Sequence, residues 1–265
     1  MNAPLRTRSP DLAWRELHEQ ATAPYKASGS FGWHFARGKL GHDPAFRGIV
    51  ARGLIGAQRP RMLDIGSGQS LFANVLHTAG QLQREGRWPA QWPSLPAPAQ
   101  YTGIELMPRD VARAQAAVGH ITPAPQLVCG NMCTADLPAC DVVVILDVLH
   151  YVDHAAQEGV LARVREALQR GSAARAPGVP GRLLLRVGDA ASRRGFAISQ
   201  WVDRTVTRIR GHKVSPTWGR TLDEWVAVLQ RLGFAVQPIP MSEGTPFANV
   251  LLVADVAVVQ EEARA

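Results

Sequence analysis

Apolar and polar positions along the chain switch repeatedly between a strand period and a helix period. Met62, Leu63 and Ile65 form a short apolar run that ends in the glycine-rich turn Gly66-Ser67-Gly68. Leu71, Phe72, Val75 and Leu76 follow at helical spacing. The same alternation recurs downstream. Tyr101-Thr102-Gly103-Ile104-Glu105 reads as a strand, and Pro108 opens a helix through Val111, Ala114 and Val118. Residues 126–129 read as a short strand, and 141–146 as a continuous β-branched run of the kind buried on both faces of a parallel sheet. Asp153 caps a helix through Val160, Leu161, Val164 and Leu168, and 181–186 form a fifth strand. Thr221-Leu222-Asp223-Glu224 is a capping box for a helix that ends at Gly233, and 234–239 with 249–256 read as a closing hairpin. Alternating strands and helices predict an α/β fold.

Ahead of this, residues 11–20 predict a helix with Leu12, Trp14 and Leu17 on its apolar side. Asp43 and Pro44 start another that runs through Phe46, Ile49, Val50 and Leu54 to Gly56. Two stretches break the pattern. Residues 83–100 carry Pro89, Pro93, Pro96 and Pro98 and predict an irregular insertion. Residues 190–220 predict a helix with Ile198, Trp201, Val202, Val206 and Ile209 on one side. Arg193, Arg194, Arg204, Arg208, Arg210, Lys213 and Arg220 stand on or near the other.

The first turn carries the chemistry. Gly66 and Gly68 have no Cβ, so the backbone can turn tightly and approach a ligand. The helix behind it aims unpaired N–H groups and a positive dipole end at whatever sits over the turn. Glu105, closing the next strand, is a carboxylate suited to the two hydroxyls of a ribose. At these residues the chain resembles the class I S-adenosylmethionine (SAM)-dependent methyltransferases. Leu63-Asp64-Ile65-Gly66-Ser67-Gly68 resembles their first motif, with Glu105 matching the ribose-binding acid. Val128-Cys129-Gly130-Asn131-Met132 resembles the third, the run from Cys140 to Tyr151 the fourth, and Gly181-Arg182-Leu183-Leu184-Leu185-Arg186 the fifth strand.

The resemblance spans about 61–256 and implies a Rossmann-like, doubly wound, seven-stranded sheet, mostly parallel with an antiparallel last strand. It implies an N-terminal helical arm or lid over 1–60, a SAM-binding domain over 61–265 and an acceptor-side insertion at about 190–220. The implied cofactor set is Asp64, Gly66, Ser67, Gly68, Glu105, Leu106, Asn131, Met132, Leu146 and Asp147. Two positions depart from the family: Ser70 stands where a third glycine is usual, and Asn131 where aspartate is usual.

The resemblance also implies that the segment before the first strand folds over the cofactor. That makes Tyr25, Trp33 and Arg37 candidate acceptor contacts and His34 a candidate base, with an aromatic anchor for the arm as the alternative. It places 146–151 beside the sulfonium, so His150 and Tyr151 are the first candidates for the base or acceptor contact; packing is the alternative for His150. A base that removes a phenolic proton contributes about 10²–10⁴-fold.

Composition narrows the partners. A formal charge of +7, nearly all arginine, favours an acidic partner such as an acyl carrier protein docked on the basic segment, with an arginine-rich genome composition as the equal alternative. Val148-Leu149-His150 stands where nucleobase N-methylating relatives carry a proline-proline-aromatic tetrad, which weighs against nucleic acid. Cys129, Cys133 and Cys140 lack metal-ligand spacing, so no metal is expected. With neither a signal-peptide core nor a run long enough to span a bilayer, the expected location is the cytoplasm.

The leading reading is therefore methyl transfer to a small or carrier-bound, phenol-like acceptor, at oxygen or a ring carbon. An RNA methyltransferase and a non-catalytic SAM- or partner-binding scaffold are the alternatives. Residues 31–40 and 245–252 also resemble methyltransferases of bacterial aryl-polyene pigment pathways, which implies a 4-hydroxyphenyl head group as acceptor. Oligomeric state is not legible.

Overall fold

The structure, a computed structural model, describes residues 8–56, 59–191, 217–245 and 248–256. Its seven strands follow the order β3-β2-β1-β4-β5-β7-β6. The chain forms two compact units, one of residues 1–135 with 243–245, the other of 136–242 with 246–265.

In the first unit, helix α1 (Pro10–Thr22) starts on a proline at its first position and buries Ala13, Leu17 and Ala21. The predicted apolar side was Leu12, Trp14 and Leu17, but Leu12 is exposed. Ala13, Leu17 and Ala21 stand at i, i+4 and i+8 on one face, and the two alanines on either side of Leu17 let that face pack closely on α4. A 3₁₀ turn, Ala23–Ser28, leads to α2 (Gly29–His42), which buries the row Gly32, Ala36 and Leu40. Asp43 caps α3 (Pro44–Ala51) by accepting from the Ala45 N–H at 3.0 Å. This helix stops before the predicted Gly56, since Gly53 turns the chain at φ +62°.

Strands β1 (Arg61–Ile65), β2 (Gln100–Glu105) and β3 (Gln126–Cys129) are parallel neighbours, with Asp64 beside Gly103 and Glu105 beside Cys129. Helices α4 (Leu71–Arg84) and α5 (Pro108–Val118) connect them. The proline-rich insertion is irregular, as predicted. The Gln83 side chain clasps it by accepting from Ser94 Oγ at 2.7 Å and the Leu95 N–H at 2.8 Å.

In the second unit, β4 (Val142–Leu146) is parallel to β5 (Arg182–Gly188). Strand β7 (Asn249–Val256) runs antiparallel to both β5 and β6 (Phe234–Pro240). Val142 to Ile145 and Leu183 to Leu185 are fully buried, which is what a continuous apolar strand requires. Asp153 caps α6 (His154–Arg170), and both halves of the Thr221–Glu224 capping box are present on α7 (Leu222–Arg231). Of the basic segment predicted over 190–220, residues 192–216, with the predicted helix, lie outside the described residues. Among the described residues, no helix is long and apolar enough to cross a membrane.

Candidate active site

The first unit builds a turn at the carboxyl ends of β1 and β2. The N–H groups of Gly66 and Ser67 both donate to the Ile104 carbonyl, at 2.8 and 3.1 Å, folding the turn back over β2. Gly66 and Gly68 have φ of +71° and +56°, conformations that cost glycine little. Gly103 leaves room for the turn: a Cβ there would meet Ser67 Oγ at 2.9 Å and Leu127 Cδ2 at 3.0 Å. One oxygen of Glu105 accepts from the Gly68 N–H at 2.8 Å and the other from the Met107 N–H at 2.9 Å. A carboxylate has about four acceptor sites, so capacity for two hydroxyls is left. Next to it, Leu106 is 60% exposed, a large apolar side chain set against solvent. Beyond β3, the Asn131 side-chain oxygen accepts from the Cys133 N–H at 2.9 Å, which shapes the loop that carries Met132.

Under the turn, Asp64 is buried, and the Tyr101 hydroxyl donates to its carboxyl group. Burial pushes the Asp64 carboxyl up to about 7; the Tyr101 hydrogen bond opposes this and the Glu105 charge adds to it. Ser70, at the start of α4, has φ +54° and ψ +40° and makes no side-chain cap. For a residue with a Cβ this left-handed backbone costs roughly 1–2 kcal/mol. Ser70 N donates to Ser67 O at 2.8 Å, and the preceding carbonyl, Gln69 O, accepts from the Tyr25 hydroxyl at 2.8 Å. Tyr25 is fully buried and also accepts from Asn74 Nδ2 at 3.1 Å; burial raises its pKa well above the ordinary phenol value.

Tyr25 is thereby corrected as an acceptor contact, because its ring has no exposed surface and its hydroxyl is engaged by the chain itself. The other arm candidates lie on α2 away from its buried row. His34 and Arg37 are exposed and Trp33 is half-buried. The Trp33 ring lies 4.7 Å from that of His34, with the Arg37 guanidinium 5.3 Å over its centroid.

The second unit places Leu146 at the end of β4 and turns the chain at Asp147, also left-handed at φ +59°. Its carboxylate takes two hydrogen bonds from the buried Arg186 of β5, from Nε at 2.7 Å and from Nη2. A 3₁₀ turn, Leu149–Tyr151, then sets the rings of His150 and Tyr151 4.3 Å apart. The Trp218 N–H donates to the His150 carbonyl at 2.8 Å, and the Trp218 carbonyl accepts from Gln157 Nε2 at 2.8 Å. The Trp218 indole stands edge-on to His154 and is 43% exposed. Arg220 anchors this segment from below. Its guanidinium donates to Gln157 Oε1, Glu158 Oε1 and the His154 carbonyl at 2.8–3.1 Å, and lies over Trp225. Arg220 is buried, which corrects its place in the predicted basic surface.

Residues 63–175 match a family model described as a methyltransferase domain. Over those residues, a little under half of its length, the chain is similar to methyltransferase domains. Solved methyltransferases share its fold. An O-methyltransferase family protein from Burkholderia thailandensis is 17% identical with a TM-score of 0.58, covering 89% of this chain and 61% of its own. Human N-acetylserotonin methyltransferase, solved with SAM, is 18% identical with a TM-score of 0.56, covering 91% and 59%. The magnesium protoporphyrin IX methyltransferase of Synechocystis PCC 6803, with SAH (S-adenosylhomocysteine) bound, is 15% identical with a TM-score of 0.54, covering 93% and 94%. This chain thus spans about three fifths of the length of the first two. No curated protein sequence matches it.

Within the methyltransferase fold, the first unit brings together Asp64, Gly66, Ser67, Gly68, Glu105 and Leu106, with Asn131 and Met132 on the loop after β3. The second gathers Leu146, Asp147, His150 and Tyr151. Arg186, Trp218 and Tyr101 were missed by sequence reasoning. A lone arginine inside an apolar strand was the available signal for Arg186, since arginine is rarely buried without a partner.

Proposed function

We propose that the protein transfers a methyl group from SAM to a small, phenol-like acceptor, at oxygen or at an activated ring carbon. The observation that carries this is the pairing of Glu105 with the Gly68 N–H at the glycine turn, beside the exposed Leu106. The residues fit the cofactor. Glu105 keeps acceptor capacity for the ribose hydroxyls, Leu106 and Met132 offer apolar surface to the adenine, and the Asn131 amide offers polar atoms to its edge. Asp64 acts on the turn from inside, and the Asp147–Arg186 pair fixes the chain end that follows Leu146. When bound, SAM supplies an electrophilic sulfonium methyl. The chain's part is to orient the acceptor and exclude water, since proximity supplies much of the rate in such a transfer.

On the acceptor side we assign His150 as the group that takes a phenolic proton and Tyr151 as its neighbouring contact. Trp33, Arg37 and His34 are the arm's contributions. Imidazole titrates near neutral pH, which suits removal of a phenolic proton. An exposed indole, Trp218, on a main chain bonded to His150 and Gln157, favours a planar aromatic acceptor. A 4-hydroxyphenyl acid, free or as a carrier thioester, has the required shape.

Calorimetry with SAH tests the cofactor assignment. Glu105→Ala should weaken SAH at least about tenfold, because a charge-assisted hydrogen bond is worth about 1.5–3 kcal/mol. Undiminished affinity in a folded Glu105→Ala variant would remove the assignment.

A further inference from the structure

Ser70 occupies a position that gains nothing from being serine. A serine before a helix ordinarily adopts extended backbone and caps the first turn with its hydroxyl. Here the backbone is left-handed and the hydroxyl caps nothing. Its Oγ is buried without a partner among the described residues. A residue held in such a conformation persists where its surroundings over-determine it.

The surroundings are specific. The peptide joining Gln69 to Ser70 has two polar ends, and both are tied. Its N–H, on Ser70, donates to Ser67 O at 2.8 Å within the turn. Its carbonyl, Gln69 O, accepts from Tyr25 Oη at 2.8 Å, from a residue 44 positions earlier. The orientation of that peptide plane sets ψ of Gln69 and φ of Ser70 together. Tyr25 cannot drift, being fully buried and fixed in turn by Asn74, one turn into α4. Other contacts seat the arm on the same structure. The Gln69 amide donates to Asp110 Oδ1 at 3.4 Å, and Ser28 Oγ donates to the Arg113 carbonyl at 2.7 Å. Gly32 of α2 lies so close that a Cβ there would meet Gln69 Oε1 at 3.3 Å.

We propose that Tyr25 is a positioning residue for the cofactor turn: its hydroxyl holds the Gln69–Ser70 peptide in the plane that a left-handed Ser70 requires. The N-terminal arm therefore sets cofactor affinity without touching the cofactor. The inference rests on the methyltransferase reading above and gives Tyr25 a role distinct from acceptor contact.

The prediction is a compensation. Tyr25→Phe removes the tie and should weaken SAH about tenfold, the effect of about 1.4 kcal/mol. Ser70→Gly in the Tyr25→Phe background should recover most of that loss, because glycine enters the left-handed region freely and no longer needs holding. Ser70→Ala in the same background should recover none, since alanine meets the same steric cost. The KM for a turned-over phenol, such as 4-hydroxybenzoate or 4-coumarate, should stay within twofold across the set.

The experiment is calorimetric titration of the full chain with SAH, with melting temperatures recorded alongside. A Tyr25→Phe variant that is folded and binds SAH as the wild type does overturns the inference. So does equal rescue by glycine and alanine. If Tyr25→Phe alone does not fold, the double variants decide: refolding by Ser70→Gly and not by Ser70→Ala supports the tie, and no rescue by either overturns it. A wild type that does not bind SAH defeats the methyltransferase reading, an outcome distinct from any of these.

Discussion

Two turns in this protein solve the same steric problem in different ways. Ser70 and Asp147 each follow the carboxyl end of a strand, and each holds a left-handed backbone, at φ +54° and +59°. At Ser70 the restraint is neutral: a buried phenol on Gln69 O and a main-chain bond to Ser67. At Asp147 it is ionic, a two-point grip by a buried arginine on the carboxylate of the strained residue itself. Aspartate also tolerates this backbone better than serine does. The contrast teaches where each turn is vulnerable. Losing a neutral restraint releases a conformation, whereas losing an ionic one strips a buried cation of its counter-charge.

The largest effect should therefore follow Asp147→Ala. Breaking a buried pair from one side costs about 3–5 kcal/mol, and the low end, about 3 kcal/mol, applies because Asp147 keeps 27% of its side chain in water. Urea denaturation measures it. A loss below about 1 kcal/mol, the range of an exposed pair, would erase the distinction between the two turns.

A pH series sharpens the comparison from the neutral side. Asp64 beneath the glycine turn has its carboxyl raised to about 7, chiefly by burial, from an ordinary 3.8. Since the folded value lies above the unfolded one, the stability linked to this proton is fully present below the ordinary value and is lost as pH rises through about 7. Melting temperatures of the wild type, referred to Asp64→Asn, should fall between about pH 4 and 7 and then run parallel. A difference that climbs with pH would mean that the ionised form is the favoured one under the turn.

What could be read from the sequence was local. The Thr221–Glu224 box and the Asp43 and Asp153 caps are satisfied within one helical turn, so spacing alone revealed them. The strand ends and the glycine turn were legible because period and steric permission are written into adjacent residues. The failures were long-range. Leu12 looked like the packed face of α1, but the helix pairs with α4 through Ala13, Leu17 and Ala21. Arg220 looked like surface charge until Gln157 and Glu158 supplied a buried socket from 62–63 residues away. Tyr25 looked like a lid residue because nothing in its neighbourhood reveals that Gln69 is its partner.

The smallest expected effect concerns the segment that Arg220 anchors. Trp218→Ala should raise the KM for a phenolic acceptor about fivefold, in keeping with about 0.5–1.5 kcal/mol for an aromatic pair, and leave SAH affinity unchanged. Steady-state kinetics with parallel SAH titrations separate the two. If SAH affinity falls as well, acceptor and cofactor sites are not independently tunable and the contrast between the two turns loses its functional meaning.

Gly103 carries a consequence for descent. The space its missing Cβ would need is taken by Ser67 Oγ and the tip of Leu127. Alanine at 103 requires the Ser67 hydroxyl to rotate away and the Leu127 tip to give way, with Ser67 Cβ still only 3.2 Å from the new methyl. Glycine at 67 would remove the crowding from Ser67, so a change at 103 is easier after one at 67 than before it. Two residues, one in the glycine turn and one on β2, thereby share 2.9 Å of room, and their histories are linked.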